Sequence, residues 1–148
     1  MSNHVTGGYF PIYPQHDSLP DPDIRTFITN FYRTSDNPAA NELWISYFTK
    51  DATDARGTAI REMRGRMWTT VDERKHTVTK IFPGMFQGAD EGRPPECECM
   101  LFGEVQYRTK GDDAPSTASW AGHGTLRKEK EGEHEEWKFA QYQVWLQK

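Results

Sequence analysis

His76 stands near the start of an alternating run, Lys75-His76-Thr77-Val78-Thr79-Lys80-Ile81-Phe82, directly after a strongly amphipathic helical segment. A period of two places His76, Val78 and Phe82 on one strand face, so an ionisable ring shares its side with apolar groups. An imidazole held between a helix and a sheet loses solvent and can move protons near neutral pH, which makes His76 a candidate acid or base. A core histidine that only hydrogen-bonds a neighbour is the plainer alternative. His123 is the second candidate. In residues 117–129, Ser119, Ala121, His123 and Thr125 alternate with Trp120, Gly122, Gly124 and Leu126. If the small residues lie over a cavity, His123 projects into it and faces His76. If Trp120 and Leu126 are inside, His123 is at the surface, and parity alone leaves both arrangements open.

Other polar groups gather around these two. Arg64 falls on the edge of a helical stripe between Met63, Met67 and Trp68, where a cation must snorkel or find a carboxylate. Asp54, in a short extended piece, is a candidate to supply that carboxylate or to orient His76, with a solvated surface position as the alternative. Tyr32 and Tyr47 lie on buried helical stripes, so their hydroxyls need partners and are candidate donors to a cavity. In residues 96–109 the smaller, more apolar face carries Cys99, Leu101, Gly103, Val105 and Tyr107 and is expected inward. Its opposite carries Glu98, Met100, Phe102, Glu104 and Gln106.

These side chains need a scaffold, and its outline follows from the spacing of apolar residues. Residues 1–20, rich in proline and glycine, read as an extended arm whose Tyr9-Phe10-Pro11-Ile12-Tyr13 cluster packs on the domain or on a partner. From Asp21-Pro22, the residues Ile24, Phe27, Ile28, Phe31 and Tyr32 follow helical spacing. A second helix is expected to start at Asn37-Pro38 and end near Thr49, with Ala40, Leu43, Trp44, Tyr47 and Phe48 as its stripe. An extended piece from Ala52 to Arg56 precedes a third helix carrying Ile60, Met63, Met67, Trp68 and Val71. Beyond residue 73 the period changes to two, giving strands over residues 74–83, 96–109, 117–129 and 136–146. Both faces of the last strand look packable. The pattern is a segregated α+β domain, residues 21–148, in which three N-terminal helices pack in the concave face of a curved antiparallel sheet.

The bulk properties narrow the function. A chain of 148 residues suits one domain behind its arm. The net charge of −4, with acids and bases interspersed, offers no basic stripe for nucleic acid, and no apolar run is long enough to span a membrane. A cytoplasmic protein is expected. Cys97 and Cys99, the only cysteines, point the same way along one strand and suit neither a disulfide nor, lacking further ligands, a metal site. There is no glycine-rich phosphate loop after a strand, so no cofactor and no metal are expected.

The order of elements, with Ile24-Arg25-x-Phe27, Phe31-Tyr32, Tyr47-Phe48-x-x-Asp51-Ala52 and Trp137-Lys138-Phe139, resembles the nuclear transport factor 2-like superfamily. Met67-Trp68, Arg74-Lys75-His76, Trp120-Ala121-Gly122 and Tyr142-Gln143-Val144 make the chain similar to the small SnoaL-like proteins of fungi. The resemblance covers roughly residues 20–147 and implies a cone-shaped α+β barrel. Its members include polyketide cyclases, ketosteroid isomerase, scytalone dehydratase, rearrangement enzymes of secondary metabolism and non-catalytic binding proteins. His76 occupies a place similar to one dehydratase histidine, and His123 falls near the position of a pocket amide, which implies that both face inward. The second dehydratase histidine has no counterpart, since Tyr107 and Thr109 stand nearby. The implied activity is a cofactor-free lyase or isomerase on a hydrophobic polyketide-, terpenoid- or alkaloid-type intermediate. In it His76, His123 and Asp54 are catalytic, and Tyr47, Arg64, Trp68 and Tyr107 bind substrate. A non-catalytic dimeric binding or interaction module is the alternative. The resemblance also implies a homodimer through the exposed sheet face, with Met100, Phe102 and Trp120 as candidates.

Overall fold

Asp21 and Pro22 start the first helix as their chemistry requires. The Asp21 carboxylate accepts the Asp23 N–H at 2.9 Å, and proline suits a position where no intrahelical donor is needed. The computed structural model describes residues 8–15, 19, 21–53, 59–86 and 96–147. Helix α1, Asp23–Ser35, buries the expected stripe of Ile24, Phe27, Ile28, Phe31 and Tyr32. The second helix is shorter than its periodicity suggests. Asn37 turns the chain instead, its side chain accepting the Ala39 N–H at 3.0 Å and its carbonyl the Ala40 N–H at 3.1 Å, so α2 runs only Asn41–Ser46. Strand β1, Phe48–Thr53, then takes Phe48 and Thr49 out of the helix. The reason is tertiary: Phe139 N–H donates to Tyr47 O at 2.9 Å, and Phe48 lies opposite Phe139 in the sheet. Helix α3, Ile60–Met67, buries Ile60 and Arg64.

Strands β2 (Val71–Phe86), β3 (Glu96–Thr109), β4 (Ser116–Glu131) and β5 (His134–Gln147) form the expected antiparallel meander. Strand β1 adds to β5 in parallel, so the sheet is mixed, in the order β1-β5-β4-β3-β2. It curves around the helices but stays open rather than closing into a barrel, with β1 and β2 at opposite edges. The described part of the arm lies along the β2 edge. There Gly8 O accepts from Val78 N–H at 2.8 Å, and Ile12 exchanges backbone bonds with Thr79 and Ile81.

Bulges decide which side chains enter the hollow. The β2–β3 register shifts after Val71 and after Val78, and the β4–β5 register shifts at Thr125/Leu126. Each extra residue reverses strand parity, so Val78 and Ile81 are both buried while Phe82 is exposed, contrary to the simple alternation. In β5 the same device sends both Phe139 and Tyr142 inward. Strand β3 carries no bulge, and Cys99, Leu101 and Val105 are buried as expected. Glycine is needed at two close approaches on the concave side: a Cβ at Gly103 would collide with Thr77 O, and one at Gly124 with the Phe139 ring.

Candidate active site

The hollow between helices and sheet contains a cavity of about 210 Å³. Trp44 of α2, Met63 and Met67 of α3, Val105 of β3 and Val144 and Leu146 of β5 give it apolar walls. His76, Arg74, Tyr107 and Tyr142 bring polar groups to it. His76 reaches the cavity because β2 runs without a shift from Glu73 to Val78, keeping Arg74, His76 and Val78 on one face. Its ring lies 5.4 Å from that of Tyr32 and edge-on to Trp120 at 5.6 Å.

Asp36, at the end of α1, holds this histidine twice. Its Oδ1 lies 2.5 Å from His76 Nδ1, and its Oδ2 accepts the His76 backbone N–H at 2.8 Å. Tyr9 of the arm donates its hydroxyl to the same Oδ2 at 2.7 Å. Burial, followed by that bond to Asp36, raises the Tyr9 phenol, so it stays a donor. With the carboxylate on Nδ1, the tautomer protonated at Nδ1 is favoured and the Nε2 lone pair is left to act. Among the described residues no group hydrogen-bonds Nε2.

Two phenols and two guanidiniums complete the site. Tyr32 and Tyr142 share a hydroxyl–hydroxyl bond of 2.9 Å, and burial raises both well above the ordinary tyrosine value. One proton joins the two oxygens, leaving the other phenolic proton for a further acceptor. Arg64 is fully buried, and among the described residues no carboxylate bonds it: it donates to Asn41 Oδ1 at 2.9 Å, Ser35 O at 2.9 Å and Asn37 O, and lies over Trp44 and Trp68. Burial, and then the like charge of Arg74, lowers it to about 10. Arg74 lies 4.9 Å over the Trp68 ring, is also lowered by burial, and its buried Nη1 has no partner among the described residues.

His123 does not share this cavity. The unbroken β3–β4 register places Ala118, Trp120, Gly122, Gly124 and Leu126 on the buried side and His123 on the outer face. There its Nε2 lies 2.6 Å from Glu98 Oε1. Trp120 takes the interior where Gly103 and Gly122 leave room for its ring, and Gly124 makes room for Phe139 on the same side. Asp54 lies outside the described residues, and Asp36 fills the orienting role expected of it. Tyr47 packs edge-on against Phe27 and Phe31, its hydroxyl 3.4 Å from Thr34 Oγ1, away from the cavity. Arg64 sits behind the cavity wall, and Trp68 lines a neighbouring groove together with Tyr107, which reaches both spaces. Asp36, Arg74 and Tyr142 were not singled out from sequence. Arg74 shares His76's parity and was legible in principle, whereas the 40-residue separation of Asp36 from His76 left no local signal.

Cys97 and Cys99 are free and buried, and burial pushes the Cys97 thiol up to about 11 and Cys99 further still. Among the described residues no cluster of His, Cys, Asp and Glu is arranged to hold a metal, and no helix is long and apolar enough to cross a membrane.

Three helices against a bent five-stranded sheet form a cone-shaped α+β fold, with a histidine–carboxylate pair in its hollow. Solved structures that share it include two with the following likeness. The crystal structure of a "Putative Scytalone Dehydratase" from Novosphingobium aromaticivorans superposes with a TM-score of 0.64 at 13% identity, over 84% of this chain and 82% of that one. ActVI-ORFA from Streptomyces coelicolor gives 0.58 at 14% identity, over 84% of this chain and 94% of its own. At such identities the likeness is one of fold. No family model and no curated protein sequence matches the chain.

Proposed function

We propose that this protein is a cofactor-free acid–base enzyme, a lyase or isomerase acting on an apolar, ring-bearing intermediate of the polyketide type in secondary metabolism. The observation that carries this reading is the Asp36–His76 pair, 2.5 Å apart beside an apolar cavity, with no described residue hydrogen-bonded to Nε2. His76 Nε2 takes a proton from a carbon next to a carbonyl. As Nε2–H it returns that proton to another carbon, completing an isomerisation, or to a hydroxyl that departs as water, completing a dehydration. Asp36, hydrogen-bonded at Nδ1, stabilises the imidazolium that forms. The Tyr142 hydroxyl, with Tyr32 donating to it, meets the negative charge that develops on the carbonyl oxygen. A cavity walled by methionine, valine and leucine raises the worth of each of these dipoles.

Nitrobenzisoxazole, whose ring opens when a positioned base removes one proton, tests the base without knowledge of the natural substrate. The protein is expected to accelerate that opening, and His76→Gln to slow it by about 10²–10⁴-fold. An undiminished rate in the variant removes His76 from the mechanism.

The chain is further proposed to act as a homodimer in the cytoplasm. Phe82, Phe102 and Trp145 are 52%, 42% and 47% exposed on the outer sheet face, and Phe82 and Phe102 pack edge-on at 5.8 Å. A second copy of the same face is the simplest cover for them. Trp120, expected on that surface, is instead buried in the core. A monomer in sedimentation velocity at micromolar concentration would remove this part of the proposal. Two reduced, buried thiols accord with a reducing compartment.

A further inference from the structure

Beside the His76 cavity lies a wider groove of about 620 Å³, which shares Arg74 and Tyr107 with it. Three buried donors of its wall have no partner among the described residues: Arg74 Nη1, Trp68 Nε1 and Arg108 Nε. Each is a donor only and needs an acceptor, and the described residues supply none. The carboxylates around the groove are already committed or distant. Asp36 takes three hydrogen bonds from His76 and Tyr9. Asp72 and Glu73 lie 3.3 and 3.0 Å from Arg108 Nη2, and Asp113 is exposed at the rim. Lys75, also exposed, lies over the Tyr9 ring. Asp36 is the carboxylate whose field reaches Arg74, and it reaches Arg64 as well. Among the described residues the buried Arg64 and half-buried Arg74 guanidiniums therefore share one carboxylate, and no second negative charge balances them beside the cavity.

We infer that the substrate is a carboxylic acid, its carboxylate seated in the outer groove on Arg74, with Trp68 Nε1 and Arg108 Nε as further donors, and its apolar body in the cavity under His76. This inference rests on the proposed acid–base site and names the class of substrate it takes. A guanidinium offers two parallel donors that match the two carboxylate oxygens, and withdrawal from water strengthens the pair. Arg74 and His76 are two residues apart on one strand face, about 7 Å along the strand. The proton that moves is accordingly within about one ring's width of the carboxylate.

Naphthoic acid and its uncharged amide, which share one shape, provide the test through quenching of tryptophan fluorescence. The unaltered protein is expected to bind the acid about tenfold or more tightly than the amide. That preference should vanish in Arg74→Met, fall partway in Arg74→Lys, and persist in His76→Gln. Equal binding of acid and amide by the unaltered protein overturns the inference without any variant, as does a preference that survives Arg74→Met in a folded protein. Failure of the acid–base reading looks different: His76→Gln would retain full nitrobenzisoxazole turnover while the acid preference stood.

Discussion

Two histidines of this molecule each touch a carboxylate at nearly the same distance, and their surroundings make them different devices. On the concave side, His76 and Asp36 lie 2.5 Å apart with side chains 14% and 6% exposed. On the outer face, His123 and Glu98 lie 2.6 Å apart but are 22% and 44% exposed. Asp36 accepts three hydrogen bonds and is surrounded by aromatic rings and arginines. Glu98 competes with water for its one partner. Low dielectric magnifies the first pair and screening weakens the second, which is why the proposed proton chemistry is assigned to the side where solvent is excluded.

Turnover should separate the two pairs most widely. His76→Gln is expected to cost about 10²–10⁴ in nitrobenzisoxazole opening, and His123→Gln to leave the rate within about twofold, the remainder of the machinery being intact. An equal loss in both would dissolve the distinction. Stability comes next. Asp36→Ala strands the His76 N–H and the Tyr9 hydroxyl, a loss of about 3 kcal/mol in urea unfolding, since each buried donor without a partner costs about 1–3 kcal/mol. Glu98→Ala, breaking a half-exposed pair, should cost less than about 1 kcal/mol. Gly124→Ala probes the packing beneath the concave side. Its new methyl meets the Phe139 ring, and a loss of about 1–3 kcal/mol is expected from overpacking.

The smallest effect per group concerns alkaline pH. Burial raises the thiols of Cys97 and Cys99 and the phenols of Tyr32 and Tyr142, all on the concave side. Their neutral forms favour folding. That contribution is fully present below their unfolded values, near pH 9–10, and is lost as pH rises through the folded ones, beginning with Cys97 at about 11. Arg64, lowered to about 10, acts in the opposite direction over the pH range above its folded value. Four raised acids outweigh it together with Arg74, so the melting temperature followed by circular dichroism should fall above about pH 9. Phenolate absorbance from Tyr32 and Tyr142 should appear only with unfolding. Early titration of both phenols in the folded protein would show that the hollow is wet.

Much of the scaffold was legible because burial and periodicity are local matters. The α1 stripe and the inner face of β3 followed from spacing alone, since α1 is regular and β3 pairs without a bulge. Helix α2 was overextended because Phe48 fits a helical stripe as well as it fits a strand, and the partner strand that captures it begins at His134. Phe82 and the faces of β5 were unreadable for a related reason. A bulge adds one residue without altering local composition, yet it turns every later side chain over.

Sequence by itself determined that His76 follows a helix on a mostly apolar strand face, and that helices precede an alternating sheet, because each of these depends on residues a few positions apart. Tertiary structure alone decided that Asp36 meets His76, that His123 turns outward, and that Arg74 Nη1 has no partner among the described residues. Those outcomes depend on bulges, on strand order and on which bulky ring claims the interior. Such contacts join residues tens of positions apart, and no short-range pattern encodes them.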